Sequence, residues 1–280
     1  MQLAYGFMRY GVADKANAVR LFETARALGI IHFDTADIYG ANGVGEVETM
    51  LGQIRRAAPS LFEGAELATK VGIDFGVPYN SSFEYISQAA EASLRRLQTD
   101  HVDLLYIHRP DLMTHPEEVA RALDSLKSRG LTKAVAVSNF TTHQVAALET
   151  YLNAPIAAHQ VEFSALNAAA VEDGRLDQAL SKGMRAFAWS PIAAGRIFGE
   201  SDPVARRVRA ALAPIEKRYN MSLTQAALSF VFSHPAGIVP IIGSTNIERL
   251  KEAADPKIPK RLERPEWYRV YEAWRGAPMP

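Results

Sequence analysis

Four side chains of complementary acid–base character stand where short apolar runs end. Asp34 closes IHFD (31–34), Tyr39 follows five residues later, Lys70 closes AELATK (65–70) and His108 closes DLLYIH (103–108). These types point to proton transfer rather than to a nucleophile–base relay. A tyrosine with an ordinary pKa near ~10 is too weak an acid to work well at neutral pH, but a nearby ammonium favours its phenolate and lowers that value. Lys70 would supply the field, and Asp34 would act as the ion-pair partner that keeps Lys70 charged in a desolvated place. His108 would then donate to, or relay a proton toward, the oxygen on which Tyr39 acts. That oxygen should be one that gains negative charge, as a carbonyl oxygen does when hydride reaches its carbon. Taken singly, each residue reads as a solvated loop group, a helix cap or an ordinary ion pair; their joint placement at successive run ends carries the argument.

For four such groups to meet, the runs that present them must be neighbouring strands. Eight strand candidates occur: 3–8, 31–34, 65–70, 103–108, 133–138, 156–161, 185–190 and 237–242. Most are apolar on both alternations, as strands covered on both faces are. Between them lie amphipathic stretches at 14–29, 44–57, 82–97, 116–129, 141–151, 173–182, 204–219 and 246–254, with an extra one at 222–233. Eight alternating βα units predict a (β/α)8 TIM barrel in the α/β class, with the doubly wound sheet as its competitor. No linker-type break divides the chain, so a single domain over 1–280 is expected, ending in a polar tail at roughly 256–280.

The barrel has a corollary, because barrel sites are built at the carboxyl ends of strands. The remaining run ends carry Ser138-Asn139, Gln160, Trp189-Ser190 and Gly243-Ser244. Composition agrees with a small-molecule site. The 280 residues carry 31 Lys+Arg against 31 Asp+Glu, which removes the electrostatic basis for binding nucleic acid or an anionic membrane surface. With no cysteine there is no disulfide, Fe–S cluster, thiolate zinc site or cysteine nucleophile. The seven histidines form no H-E-x-x-H or comparable cluster, and no metal is expected. Arg9 and Asp14 interrupt the start where a signal peptide needs an apolar core, so a cytoplasmic location is expected.

Taken together, these stretches resemble the aldo-keto reductase family. FDTADIYG (33–40) is similar to that family's signature after the second strand, and VETMLG (47–52) continues it. LATKVG (67–72) matches its lysine strand, and SLRRLQTDHVDLLYIHRPD (93–111) resembles its long helix–strand signature. AVAVSNF (134–140), HQVEFS (159–164) and FAWSPIAAGRI (187–197) extend the match, which runs from about 3 to 255. The resemblance implies that Asp34, Tyr39, Lys70 and His108 are catalytic. It implies that Ser138, Asn139 and Gln160 hold a nicotinamide carboxamide, that Trp189 stacks on the ring, and that Ser190 lies along the pyrophosphate.

The resemblance further implies that in VPIIGSTNIERLKEAA (239–254) Gly243, Ser244, Arg249 and Glu252 hold the adenosine 2′-phosphate and the adenine. Arg249 discriminates, since a guanidinium binds a phosphate bidentately and has no such partner in NADH. NADPH/NADP is therefore expected ahead of NADH, although Gly243 stands where many members place a lysine. No G-x-G-x-x-G follows a strand, so the nucleotide needs a scaffold other than a Rossmann fold.

Substrate selectivity is expected from Phe7, Met8, Arg9, Ile38, 73–79, Arg109, Phe140, Trp267 and Trp274, and a short loop at 195–204 suggests an open mouth. The resulting expectation is an NADP-dependent carbonyl reductase of the alcohol dehydrogenase type, acting on aldehydes or small ketones, sugar-like ones included, as a monomer or weak homo-oligomer. Two alternatives stand beside it: a catalytically weak NADPH-binding regulatory subunit, and an aldose-type isomerase barrel without nicotinamide.

Overall fold

A computed structural model describes residues 3–11, 14–41 and 43–280. Among them, strands β1 (Ala4–Gly6), β2 (His32–Asp34), β3 (Glu66–Val71), β4 (Val102–Ile107), β5 (Thr132–Ser138), β6 (Ile156–Glu162), β7 (Arg185–Trp189) and β8 (Val239–Ile242) close in chain order into a parallel barrel. Every strand falls on its predicted run. The barrel prevails over the doubly wound sheet because the strand order never reverses.

Parallel neighbours need a crossover, and helices supply it. The helices between strands are α1 (Lys15–Ala27), α2 (Glu46–Ala57), α3 (Phe83–Leu97), α4 (Pro116–Ser128), α5 (Thr142–Glu149), α6 (Ala169–Glu172), α7 (Arg175–Lys182), α8 (Pro203–Tyr219) and α9 (Leu223–Phe232), and α10 (Ile247–Ala253) and α11 (Arg264–Arg275) follow β8. Local chemistry sets their starts. The Ser82 hydroxyl accepts from the Tyr85 amide, and capping boxes Thr141/Gln144 and Ser222/Gln225 open α5 and α9. Among the described residues, no helix is long and apolar enough to cross a membrane.

The described residues form two compact units, one comprising Ala4–Gln160 with Gly243–Ile247 and the other built on Val161–Ile242 and Glu248–Pro280. In the first, registers run Asp34↔Ala68, Lys70↔Tyr106, Tyr106↔Ala136 and Ser138↔Gln160. Because strand side chains alternate, this register puts Asp34, Lys70, His108, Ser138 and Gln160 on one face. In the same unit α2 and α3 approach closely at Gly52, where an added Cβ would overlap the Arg96 carbonyl oxygen. Gly52→Ala is therefore expected to cost about 1–3 kcal/mol of stability, measured by denaturant unfolding, despite alanine's better helix propensity.

The second unit departs from the sequence reading at its end. The stretch taken as a polar tail contains α11, opened by the Glu263/Glu266 capping box with Pro265 in its first turn. Trp267, Val270, Tyr271 and Trp274 recur at helical spacing, a signal that the prolines obscured. Trp267 stacks on Phe230 of α9 at 5.0 Å, and its indole N–H donates to the Phe230 carbonyl at 3.1 Å. This tryptophan is therefore engaged in packing. Phe7 is likewise a packing residue, fully buried against Phe22 and Phe33.

Candidate active site

Lys70 is the centre of the site. It projects from β3 with no exposed surface, and its ammonium has three acceptors: Asp34 Oδ2 at 2.7 Å, the Thr35 carbonyl at 2.9 Å and Tyr39 Oη at 3.3 Å. An ammonium has three N–H groups, so this set saturates it. Asp34 is fixed from its other oxygen, Oδ1, which accepts from Gln160 Nε2 at 2.9 Å. Sequence reasoning assigned Gln160 only to the cofactor; its even position in the shared register was the signal for a second contact with Asp34.

Tyr39 lies on the loop between β2 and α2. Its amide donates to the Ala36 carbonyl at 3.2 Å and its carbonyl accepts from the Val47 amide at 3.1 Å, so the ring is presented from a tied backbone. His108 continues β4, with its amide donating to the Val71 carbonyl at 2.8 Å. The imidazole meets the Tyr39 ring edge-on at 5.8 Å. Its Nδ1 is buried without a hydrogen-bond partner. All four catalytic expectations thus converge within the first unit.

The electrostatics correct one expectation. Burial pushes the Tyr39 hydroxyl above the ordinary tyrosine value, and the pull of Lys70 in the other direction only partly offsets it. Tyr39 is therefore protonated across the neutral range. Burial disfavours the Lys70 ammonium, but Asp34 and Tyr39 outweigh it and hold the lysine above its usual value. Burial, reinforced by Lys70 and Arg109, drives His108 well below its ordinary value. A neutral imidazole and a protonated phenol beside a fixed ammonium are groups able to serve an oxygen that becomes negative.

The cofactor expectations fall in both units. In the first, Ser138 ends β5 and Asn139 takes a left-handed φ of 61°, its amide N–H donating to the Gln160 carbonyl at 2.9 Å and its Nδ2 donating to Ser138 Oγ at 2.8 Å. Gly243 and Ser244 follow β8; the Ser244 carbonyl accepts from Tyr5 Oη at 2.8 Å and the Thr245 carbonyl from Asn17 Nδ2 at 2.9 Å. In the second, Trp189 ends β7 half-buried, Ser190 has φ 51°, Arg249 is exposed on α10, and Glu252 accepts from the Ser222 hydroxyl. The uncharged hydroxyl and amides of Ser138, Asn139 and Gln160 fit a neutral carboxamide, and the Arg249 guanidinium fits a phosphate.

A closed (β/α)8 barrel with a buried acid–base set at its strand ends defines a barrel enzyme. The Aldo/keto reductase family model matches residues 2–257, and the chain belongs to that family of oxidoreductases. It is 42% identical to a 6-dehydroglucose reductase of Novosphingobium aromaticivorans, over 99% of this chain and 93% of that one. A 6-dehydroglucose reductase of Agrobacterium fabrum is 34% identical, over 96% and 93% respectively. The crystal structure of a thermostable aldo-keto reductase with the inhibitor epalrestat superposes with a TM-score of 0.81 at 24% identity, covering 97% of this chain and 94% of that one, a likeness of fold. The family generally uses NAD(P)H.

Proposed function

We propose that the protein is an NADPH-dependent carbonyl reductase that converts an aldehyde of sugar type to its primary alcohol, with Tyr39 as proton donor. The observation that carries this reading is the Lys70 ammonium shared between Asp34 and the Tyr39 hydroxyl, with a neutral His108 alongside. The bound nicotinamide would supply hydride to the carbonyl carbon. Tyr39 then gives its proton to the carbonyl oxygen, Lys70 stabilises the phenolate left behind, and Asp34 keeps Lys70 charged and in place. His108 orients the carbonyl by a hydrogen bond. The names of the two relatives support a hexose bearing an aldehyde at C6 as the substrate class.

Ser138, Asn139 and Gln160 would hold the carboxamide, Trp189 would stack on its ring, Ser190 would follow the pyrophosphate, and Gly243, Ser244, Arg249 and Glu252 would bind the adenosine phosphate end. The reading includes a cytoplasmic location, no nucleic-acid or membrane partner, and a monomer or weak homo-oligomer built on one domain. The test is NADPH oxidation, followed by absorbance, across an aldehyde panel that includes a C6-aldehyde of glucose. Arg249→Ala should raise KM for NADPH about tenfold and leave KM for NADH within about twofold. Equal effects on both cofactors would remove Arg249 from the phosphate, and no oxidation with any aldehyde would remove the reductase reading.

A further inference from the structure

A second cluster of buried charge lies behind the loop that carries Tyr39 and takes no direct part in the proton transfer derived above. Glu48 of α2 is fully buried; its Oε1 accepts from the Thr69 hydroxyl at 2.5 Å, and its Oε2 pairs with Arg96 of α3 at 2.8 Å from Nε and 2.7 Å from Nη2. Arg96 also donates to Ser93 Oγ at 3.1 Å. Asp37, 3% exposed, belongs to the loop itself, and its carboxyl oxygen Oδ1 is buried without a partner.

We propose that Asp37, Glu48 and Arg96 hold the loop that carries the proton donor, which makes Asp37 and Glu48 positioning residues for Tyr39; this rests on Tyr39 being that donor.

The connections run in both directions from the cluster. The Asp37 amide donates to the Lys70 carbonyl at 3.0 Å, and the Gly45 amide donates to the Asp37 carbonyl at 2.5 Å. Thr69, which anchors Glu48, is the residue before Lys70. The pair lies against bare backbone at Gly45, where an added Cβ would overlap the Arg96 guanidinium. Glu48 thereby ties α2 to β3 and α3 next to the loop's two ends, and Asp37 ties the loop to the catalytic lysine's own peptide.

One guanidinium cannot neutralise two buried carboxylates, and protonating one of them is the least costly resolution. Burial, followed by the Glu48 carboxylate, pushes Asp37 up to about 8, against the opposing pull of Arg96, the Ile38 amide and Lys70. Tyr85 of α3 also faces it. Arg96 is already engaged by Glu48, so ionisation of Asp37 adds under the loop an anion that this guanidinium does not neutralise. That anion would raise the Tyr39 and Lys70 values further and weaken Tyr39 as a donor.

The test uses the whole enzyme, Asp37→Asn and Glu48→Gln, measuring kcat and KM from about pH 6 to about pH 10 with NADPH and a C6-aldehyde of glucose. Amide hydrogen exchange over residues 37–47 is followed in the same buffers. Wild type should lose about tenfold in kcat through an apparent pKa near 8, with KM changed less than about twofold. Asp37→Asn should abolish that fall. Glu48→Gln should move it to lower pH, because the carboxylate that raises Asp37 is gone, and the Gly45 and Val47 amides should exchange about tenfold faster. A fall at the same pH in all three proteins, or unchanged exchange in Glu48→Gln, would overturn the proposal.

If wild type oxidises no NADPH, the reductase reading fails and exchange alone decides the cluster. Faster loop exchange in wild type than in Asp37→Asn above pH 8 supports it, and equal exchange overturns it. Asp37→Asn should also fold. Because the folded value of Asp37 is raised from 3.8 to about 8, this carboxyl loses stability as pH climbs through that window, so the variant should melt above wild type at pH 8.

Discussion

Replacing Tyr39 by phenylalanine is expected to lower kcat for aldehyde reduction by about 10²–10⁴-fold while the dissociation constant for NADPH stays within about twofold. The ring and its edge-on contact with His108 survive the change, as does the Lys70–Asp34 pair; only the hydroxyl at 3.3 Å from the ammonium is lost. A general acid works in the transition state, so its removal should appear in kcat rather than in cofactor binding. Stopped-flow NADPH oxidation gives the first quantity and quenching of tryptophan fluorescence the second. A rate within about threefold of wild type would show that the proton comes from elsewhere.

Lys70→Met is expected to remove activity and stability together. The methionine fills a similar volume but leaves Asp34, itself almost fully buried, with one oxygen facing no cation. Breaking a buried pair from one side costs about 3–5 kcal/mol, since the remaining charge stays desolvated. Adding Asp34→Asn removes that charge and leaves an oxygen able to accept from Gln160, so the double variant should recover most of the stability. It should recover none of the rate, because the field on Tyr39 is still absent. Denaturant unfolding and NADPH oxidation on the single and double variants separate the two effects; recovery of the rate in the double variant would show that Lys70 is structural only.

The legibility of the site in the sequence has a geometric origin. Asp34, Lys70, Ser138 and Gln160 occupy even positions on strands, and His108 one just past β4, where the registers beside them pair even with even, so one alternation places them all on one face. Strand ends could be read from apolar runs, and the side chains that cluster in the structure stand at those ends. Tyr39 lies outside any strand, and only its spacing from Asp34 and the family resemblance pointed to it. What escaped was long-range or depended on depth. The net direction of the Tyr39 shift turns on burial, which a spacing does not reveal. The bond from Gln160 to Asp34 joins residues 126 positions apart. The charge pairing of Glu48 with Arg96 spans two helices whose sequences show only amphipathic faces. Helix α11 was hidden for a different reason: prolines at 259, 265, 278 and 280 suggested an irregular tail, yet Pro265 occupies the first turn, where a proline costs the helix no hydrogen bond.

The most direct test of the central claim follows the two hydrogens separately. With NADPH deuterated at the transferable C4 position and a C6-aldehyde of glucose, mass spectrometry of the product from wild type should show one deuterium on the former carbonyl carbon. Tyr39→Phe should form the same labelled product at a rate lower by about 10²–10⁴-fold. A product without deuterium, or a labelled product formed equally fast by both proteins, would contradict hydride transfer completed by the Tyr39 proton.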